Sequence, residues 1–144
     1  MFKFSKYICI VSLIATPILF KQNIALAGGG FTGSCHNIQL NFFTGNGGFS
    51  PLTADCYTTT GQIHNGSTNF VDLNAHITNN HGTLAWQQNG GFANSVRNCG
   101  INVTNVTVLH CEAGDGAGSW PYSSITLDDE IANYDGNLTV IDGF

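Results

Sequence analysis

Positive charge is what this chain has least of: four Lys and Arg face nine Asp and Glu, and Lys3, Lys6 and Lys21 account for three of the four. From residue 28 onward Arg97 is the single fixed cation, a balance of 1 − 9 = −8 with histidine neutral. Phosphate backbones and heparin-like polyanions are held by clustered Lys and Arg, so nucleic acid is excluded as a partner. Strong helix formers are thin too, while Asn, Thr, Ser and 18 Gly abound. That composition points to an all-β chain rich in turns. Catalytic signatures are missing as well. There is no Gly-x-Ser-x-Gly, no phosphate loop, no Cys-x-x-Cys and no His-x-x-x-His, so no catalytic residue, metal or cofactor is expected.

One hydrophobic run is present, and it stands at the start. Lys3 and Lys6 precede an apolar stretch from Tyr7 to Phe20, followed by Ala25-Leu26-Ala27. A short apolar run with basic residues ahead and a small-x-small site behind is a secretory signal, too short for a comfortable membrane span. Residues 1–27 are therefore expected to be removed, leaving residues 28–144 as a single secreted, extracellular domain without membrane insertion. Cys35, Cys56, Cys99 and Cys111 remain in it. An even count in an oxidising compartment reads as disulfides.

The domain is built on a repeat. VDLNAHITNNHGTLAWQ at Val71–Gln87 returns as ITLDDEIANYDGNLTVI at Ile125–Ile141, with Leu73, Ile77, Asn79, Gly82 and Leu84 matched by Leu127, Ile131, Asn133, Gly136 and Leu138. Each copy reads as a strand, a helical turn begun by a polar cap (Asn74, Asp128), a glycine turn and a second strand. The repeats span 31–87 and 92–141, joined by a hinge at 87–91, QQNGG. Duplication favours closure within each copy, Cys35–Cys56 and Cys99–Cys111. The second pairing carries an irregularity, because Val96 stands at the position equivalent to Cys35 and the cysteine lies three residues on. In a regular strand residues 96 and 99 face opposite ways, so Cys99 reaches Cys111 only if the backbone bulges, with Gly100 the candidate.

In order, Phe31–Leu40 reads as extended, NFFTGNGGFSP as a long loop, Leu52–Thr60 and Ser67–Leu73 as strands, Val103–Cys111 as a returning strand, and Ala113–Ser124 as a Gly-rich loop carrying Trp120-Pro121-Tyr122. Trp86 and Leu84 read as core. The acids Asp128-Asp129-Glu130 read as helix-turn capping and not as a glycosidase pair. His36, His64, His76, His81 and His110 read as solvated surface. Four sequons, at Asn65, Asn102, Asn105 and Asn137, make the chain a candidate glycoprotein.

SCHNIQL, LTADC, VDLNAHITNNHGTLAWQ, VRN and ITLDDEIANYDGNLTV together resemble the cyanovirin-N family of lectins, over nearly all of 31–142. The resemblance implies an all-β, pseudo-twofold module of triple-stranded sheets and β-hairpins in which each half borrows strands from both repeats. It also implies binding of mannose-rich glycans on oligosaccharides or glycoproteins, without catalysis. By position, one implied sugar pocket falls on Gly30, Gly33 and Ser34, on Tyr57, Thr58, Thr59 and Thr60, and on Asn133, Tyr134 and Asp135. A second, weaker one falls on Thr78–His81, with Asn79 and His81 foremost, on Gln87 and the hinge, on Asn94 and Ser95, and on Glu112–Gly116. The second departs further from the family pattern, with His81 replacing an aspartate, Thr78 and Asn94 replacing acids and Gly114 replacing an arginine. Binding is expected mainly in the first, where Asp135, Asn133 and the threonines suit sugar hydroxyls. Without the family's hinge proline the chain is expected to be a monomer. The rival reading is a structural or surface-adhesion protein that kept the scaffold and lost its sugar.

Overall fold

The computed structural model describes residues 29–42 and 48–141; the expected leader and its cleavage site lie outside them. The described residues hold eleven β-strands and four single 3-10 turns. In chain order the strands are β1 (Cys35–Leu40), β2 (Pro51–Tyr57), β3 (Ile63–His64), β4 (Phe70–Asp72), β5 (Ile77–Asn80), β6 (Thr83–Trp86), β7 (Val96–Val103), β8 (Thr107–Ala113), β9 (Tyr122–Thr126), β10 (Ile131–Tyr134) and β11 (Asn137–Val140). All pairings are antiparallel. One sheet is β1-β2 with β3 and β4 both on β2, a second is β7-β8-β9, and β5-β6 and β10-β11 are separate hairpins.

Each hairpin leaves its own repeat's sheet and packs on the other's. Asn69, beside β4, accepts the Leu138 N–H of β11 at 2.7 Å and donates to the Gly136 carbonyl at 2.9 Å. In the other half Ser123 Oγ accepts the Leu84 N–H of β6 at 2.9 Å. The alternating apolar residues of both copies therefore meet in one core, where Leu73, Ile77, Leu127 and Ile131 are all fully buried. Each such side chain contributes roughly 1.5–3 kcal/mol. Leu84 is buried, and Trp86 packs partly buried against the core.

The two-residue hairpin loops are His81-Gly82 and Asp135-Gly136, with φ of 50° and 93°, and 46° and 89°. Positive φ at both central residues is the primed turn that matches strand twist, and glycine at the second position makes it cheap. Symmetry extends to the connections. Gly91 N–H donates to the Asn74 carbonyl at 2.8 Å, and Gly30 N–H donates to the Asp128 carbonyl at 2.7 Å. Gln87 N–H meets the His76 carbonyl at 2.9 Å, and Ile141 N–H meets that of Glu130 at 2.7 Å. Gly29 and Gly30 thus lie along the second motif as Gly90 and Gly91 lie along the first.

Several boundaries differ from the sequence reading. The helical turns are 3-10, and their caps are Asp72, whose side chain accepts the Asn74 N–H, and Thr126, which makes no side-chain cap. Asn74 instead reaches across to the other repeat, and Asp128 ties the other repeat's Thr32 to Thr107 of its own. Asn74 Oδ1 accepts the Ala93 N–H at 2.9 Å, and the buried Asp128 carboxylate accepts Thr32 N–H, Thr32 Oγ1–H and Thr107 N–H at 2.6–3.0 Å. Phe31–Gly33 is a 3-10 turn ahead of β1. Tyr122–Ser124 belong to β9, so the loop after β8 is shorter than Ala113–Ser124, because Glu112 and Cys111 offer β9 a partner edge. Of the loop phenylalanines, Phe42 packs against Phe92 at 5.9 Å, Phe49 meets Phe70 edge-on at 5.7 Å, and Phe43 lies outside the described residues. His64 and His81 are exposed, but His36, His76 and His110 are half-buried.

Both disulfides form as expected, Cys35–Cys56 and Cys99–Cys111. β7 bulges between Arg97 and Gly100, while Val96 still pairs with Ala113 and Gly100 with His110. The extra residue lets three steps on β7 answer two on β8, which turns Cys99 toward Cys111. The left-handed residue of the bulge is Asn98, φ 51°, and not Gly100. The first repeat bulges identically between His36 and Gln39, with Asn37 at φ 51°.

Candidate functional site

The Asp135-Gly136 turn brings the first expected cluster together, because it lands on the loop after β2. Thr59 donates its N–H and its hydroxyl to Asp135 Oδ1 at 2.7 and 2.8 Å. Those two bonds, the backbone one first, hold the Asp135 carboxyl below its ordinary range, with His64 adding an electrostatic pull in the same direction. Thr58 and Thr60 share a hydroxyl bond at 2.9 Å. Asn133 is buried: its Nδ2 donates to Ser34 Oγ at 3.0 Å and the Tyr57 carbonyl at 2.9 Å, and its Oδ1 accepts the Gly136 N–H at 2.7 Å. That amide is a clasp between hairpin and sheet. Asp135, Thr59, Thr60 and the rings of Tyr57 and Tyr134 face outward.

Asn79 repeats the clasp in the other half. Its Nδ2 donates to the Ser95 carbonyl, Ser95 Oγ and the Gly114 carbonyl at 2.9–3.1 Å, and its Oδ1 accepts the Gly82 N–H at 2.8 Å. Beside it opens a cleft of about 500 Å³. Seven of the expected second-cluster residues line it, Asn79, His81, Asn94, Ser95, Gly114, Asp115 and Gly116, whereas Thr78, Gln87 and Glu112 do not. The rest of the wall, Gly118, Ser119 and Trp120, comes from the same loop after β8 that carries Gly114, Asp115 and Gly116. Asp115 Oδ1 folds that loop by accepting the Ala117 and Ser119 N–H groups at 2.7 and 2.9 Å. The same bonds, Ala117 first, keep its carboxyl below the usual range. Trp120 carries the Arg97 guanidinium 4.4 Å from its ring centroid, and Arg97 Nε pairs with Glu112 Oε2 at 2.6 Å.

Ser119 and Trp120 were not singled out from the sequence as site residues. The available signal was the aromatic Trp120-Pro121-Tyr122 run closing a Gly-rich loop, a place where an indole has few neighbours to bury it. Of the sequons, Asn65, Asn102, Asn105 and Asn137 are all exposed. Asn137 stands beside the first cluster, its Nδ2 donating to the Tyr134 carbonyl at 3.2 Å. Among the described residues no group of three His, Cys, Asp or Glu is placed to hold a metal ion, and no helix is long and apolar enough to cross a membrane.

Comparison with solved structures finds the same arrangement of strands. GzCVNH of Gibberella zeae is 26% identical, with a TM-score of 0.63 over 78% of this chain and 98% of that one. A MoCVNH3 variant solved in complex with (N-GlcNAc)4 is 23% identical, with a TM-score of 0.65 over 78% and 97%. Microvirin, solved with mannobiose, is 24% identical, with a TM-score of 0.56 over 78% and 98%. The duplicated clasp, the exchanged hairpins and the two disulfides lie within residues 31–139, which match the family described as CVNH domain; the chain belongs to that family.

Proposed function

We propose that this protein is a secreted lectin, released after removal of residues 1–27, that binds neutral, mannose-rich oligosaccharides and leaves them chemically unchanged. The observation that carries the reading is the cleft beside Asn79, about 500 Å³ with short polar groups and one aromatic wall. That volume suits a small ligand, and hydroxyl, amide and carboxylate groups at its rim match sugar hydroxyls that both donate and accept. With Asp115 in its wall and one fixed cation in residues 28–144, the cleft favours uncharged sugars over anionic ones. The mannobiose bound by microvirin and the N-acetylglucosamine oligomer bound by the MoCVNH3 variant support the ligand class.

We propose the principal site in the second cluster, where the sequence favours the first, because the cleft beside Asn79 offers a concave surface walled by Trp120. The outward groups around Asp135 form a second, shallower surface. Titration calorimetry with mannobiose decides between them. Asn94→Ala and Trp120→Ala are expected to weaken binding about tenfold, the loss of roughly one good polar or stacking contact, with Asp135→Ala changing it less than about twofold. The reverse pattern moves the site to the Asp135 surface. Silence toward every neutral glycan leaves only a scaffold or adhesion protein, and cleavage of an oligomannoside makes it an enzyme. The protein is proposed to be a monomer, which light scattering on dilution checks.

A further inference from the structure

The cleft continues onto the outer face of the β7-β8-β9 sheet. Trp120 belongs to both, lining the cleft while stacking on Arg97. Arg97 pairs in register with Glu112, and Glu112 with Tyr122. The three side chains stand in a row across three strands, about 10 Å at the usual interstrand spacing. Tyr122 ends the row and is the most exposed large apolar side chain described, at 68%. It is not loose, for its ring is stacked on His110 with centroids 5.8 Å apart and planes 23° from parallel. An exposed ring on a rigid backing, next to a buttressed indole, with the Arg97–Glu112 pair between them, offers stacking faces separated by donors and acceptors.

That combination fits the alternating apolar faces and hydroxyl edges of successive pyranose rings. A peptide occupant would want a groove or an unpaired strand edge with apolar pockets, whereas this surface is a flat sheet face. The first half carries a related device in other residues: Tyr57 packs against His36 at 5.3 Å with the ring planes tilted by 33°, and His36 lies 3.9 Å from Asp55, at positions matching Arg97 and Glu112.

We propose that Trp120, the Arg97–Glu112 pair and Tyr122 form an extension of the cleft that takes the third and later sugar units of a neutral oligosaccharide, so that the protein selects chain length as well as sugar. The inference rests on the lectin reading above. It is tested by calorimetry of the full mature chain with mannobiose and with linear mannotetraose. Wild type is expected to bind the tetraose roughly five- to tenfold more tightly, the equivalent of one stacking contact. Tyr122→Ala is expected to lose that gain while keeping wild-type affinity for mannobiose, which also shows that the variant folds, and Tyr122→Phe is expected to restore it. Equal affinity of wild type for the two sugars, or a gain that survives Tyr122→Ala, overturns the extension and leaves the cleft. Failure to bind either sugar overturns both.

Discussion

Two asparagines, Asn79 and Asn133, do at the scale of single residues what the repeat exists to do. Each uses both amide hydrogens on the opposite repeat's sheet and its carbonyl on its own turn. Asn133→Ala strands the buried Gly136 N–H and the Tyr57 carbonyl, so a loss of about 2–4 kcal/mol is expected in denaturant unfolding; a loss under half a unit contradicts the clasp. Asp135 is different, being exposed and reversible. Its folded pKa is depressed, so its bonds to Thr59 are present above the unfolded value near pH 3.9 and are lost as pH falls through the lower folded value. The Thr59 amide resonance is therefore expected to be constant above about pH 4 and to shift below it, moving with the Asp135 carboxyl signal; an unchanged Thr59 amide down to pH 2 contradicts the Thr59–Asp135 bond.

Among the elements, the linker is tightly constrained. A Cβ on Gly90 would lie 2.1 Å from the Ile77 carbonyl oxygen, since residues 87–91 run pressed against the first motif. Gly90→Ala is expected to cost about 2–3 kcal/mol or to displace the linker, while Gln88→Ala, at an exposed position, is expected to stay within about 0.5 kcal/mol; thermal melts compare the two. A linker that accepts Ala at residue 90 without penalty is not packed this way. The bulges at Asn37 and Asn98 make a parallel point. An aligned pair of asparagines marks a left-handed residue in both first strands, and a single shift along the ladder moves the disulfide from Cys35–Cys56 to Cys99–Cys111 without changing the strand pairing.

The whole molecule is two halves, each a sheet from one repeat and a hairpin from the other. Neither repeat holds a complete core. A two-stranded hairpin is marginal alone in water, so residues 29–87 and 88–141 expressed separately are each expected to give collapsed NMR spectra, and mixing them is expected to restore dispersion. Cooperative folding of residues 29–87 by themselves would falsify the exchanged architecture.

Local patterns in the chain were enough to establish the duplication, the all-β class, both disulfides and the apolar positions of the core, because each follows from spacing: Leu73 and Ile77 must reappear as Leu127 and Ile131 if the same surface is to be buried twice. The Asn98 bulge was half legible, since the three-residue offset of Cys99 demands one, but the left-handed residue is settled by which side chain tolerates positive φ there. In the sequence Asn79 and Asn133 stand only as pocket residues ahead of a glycine turn, and each does accept its turn glycine's N–H. Their bonds to Ser95 and Ser34 depend on which sheet each hairpin meets. The cleft was least legible of all. Its wall joins His81 on one hairpin to Trp120 on a loop of the other repeat, a juxtaposition made by long-range packing, and no spacing along a single segment encodes the concavity that results.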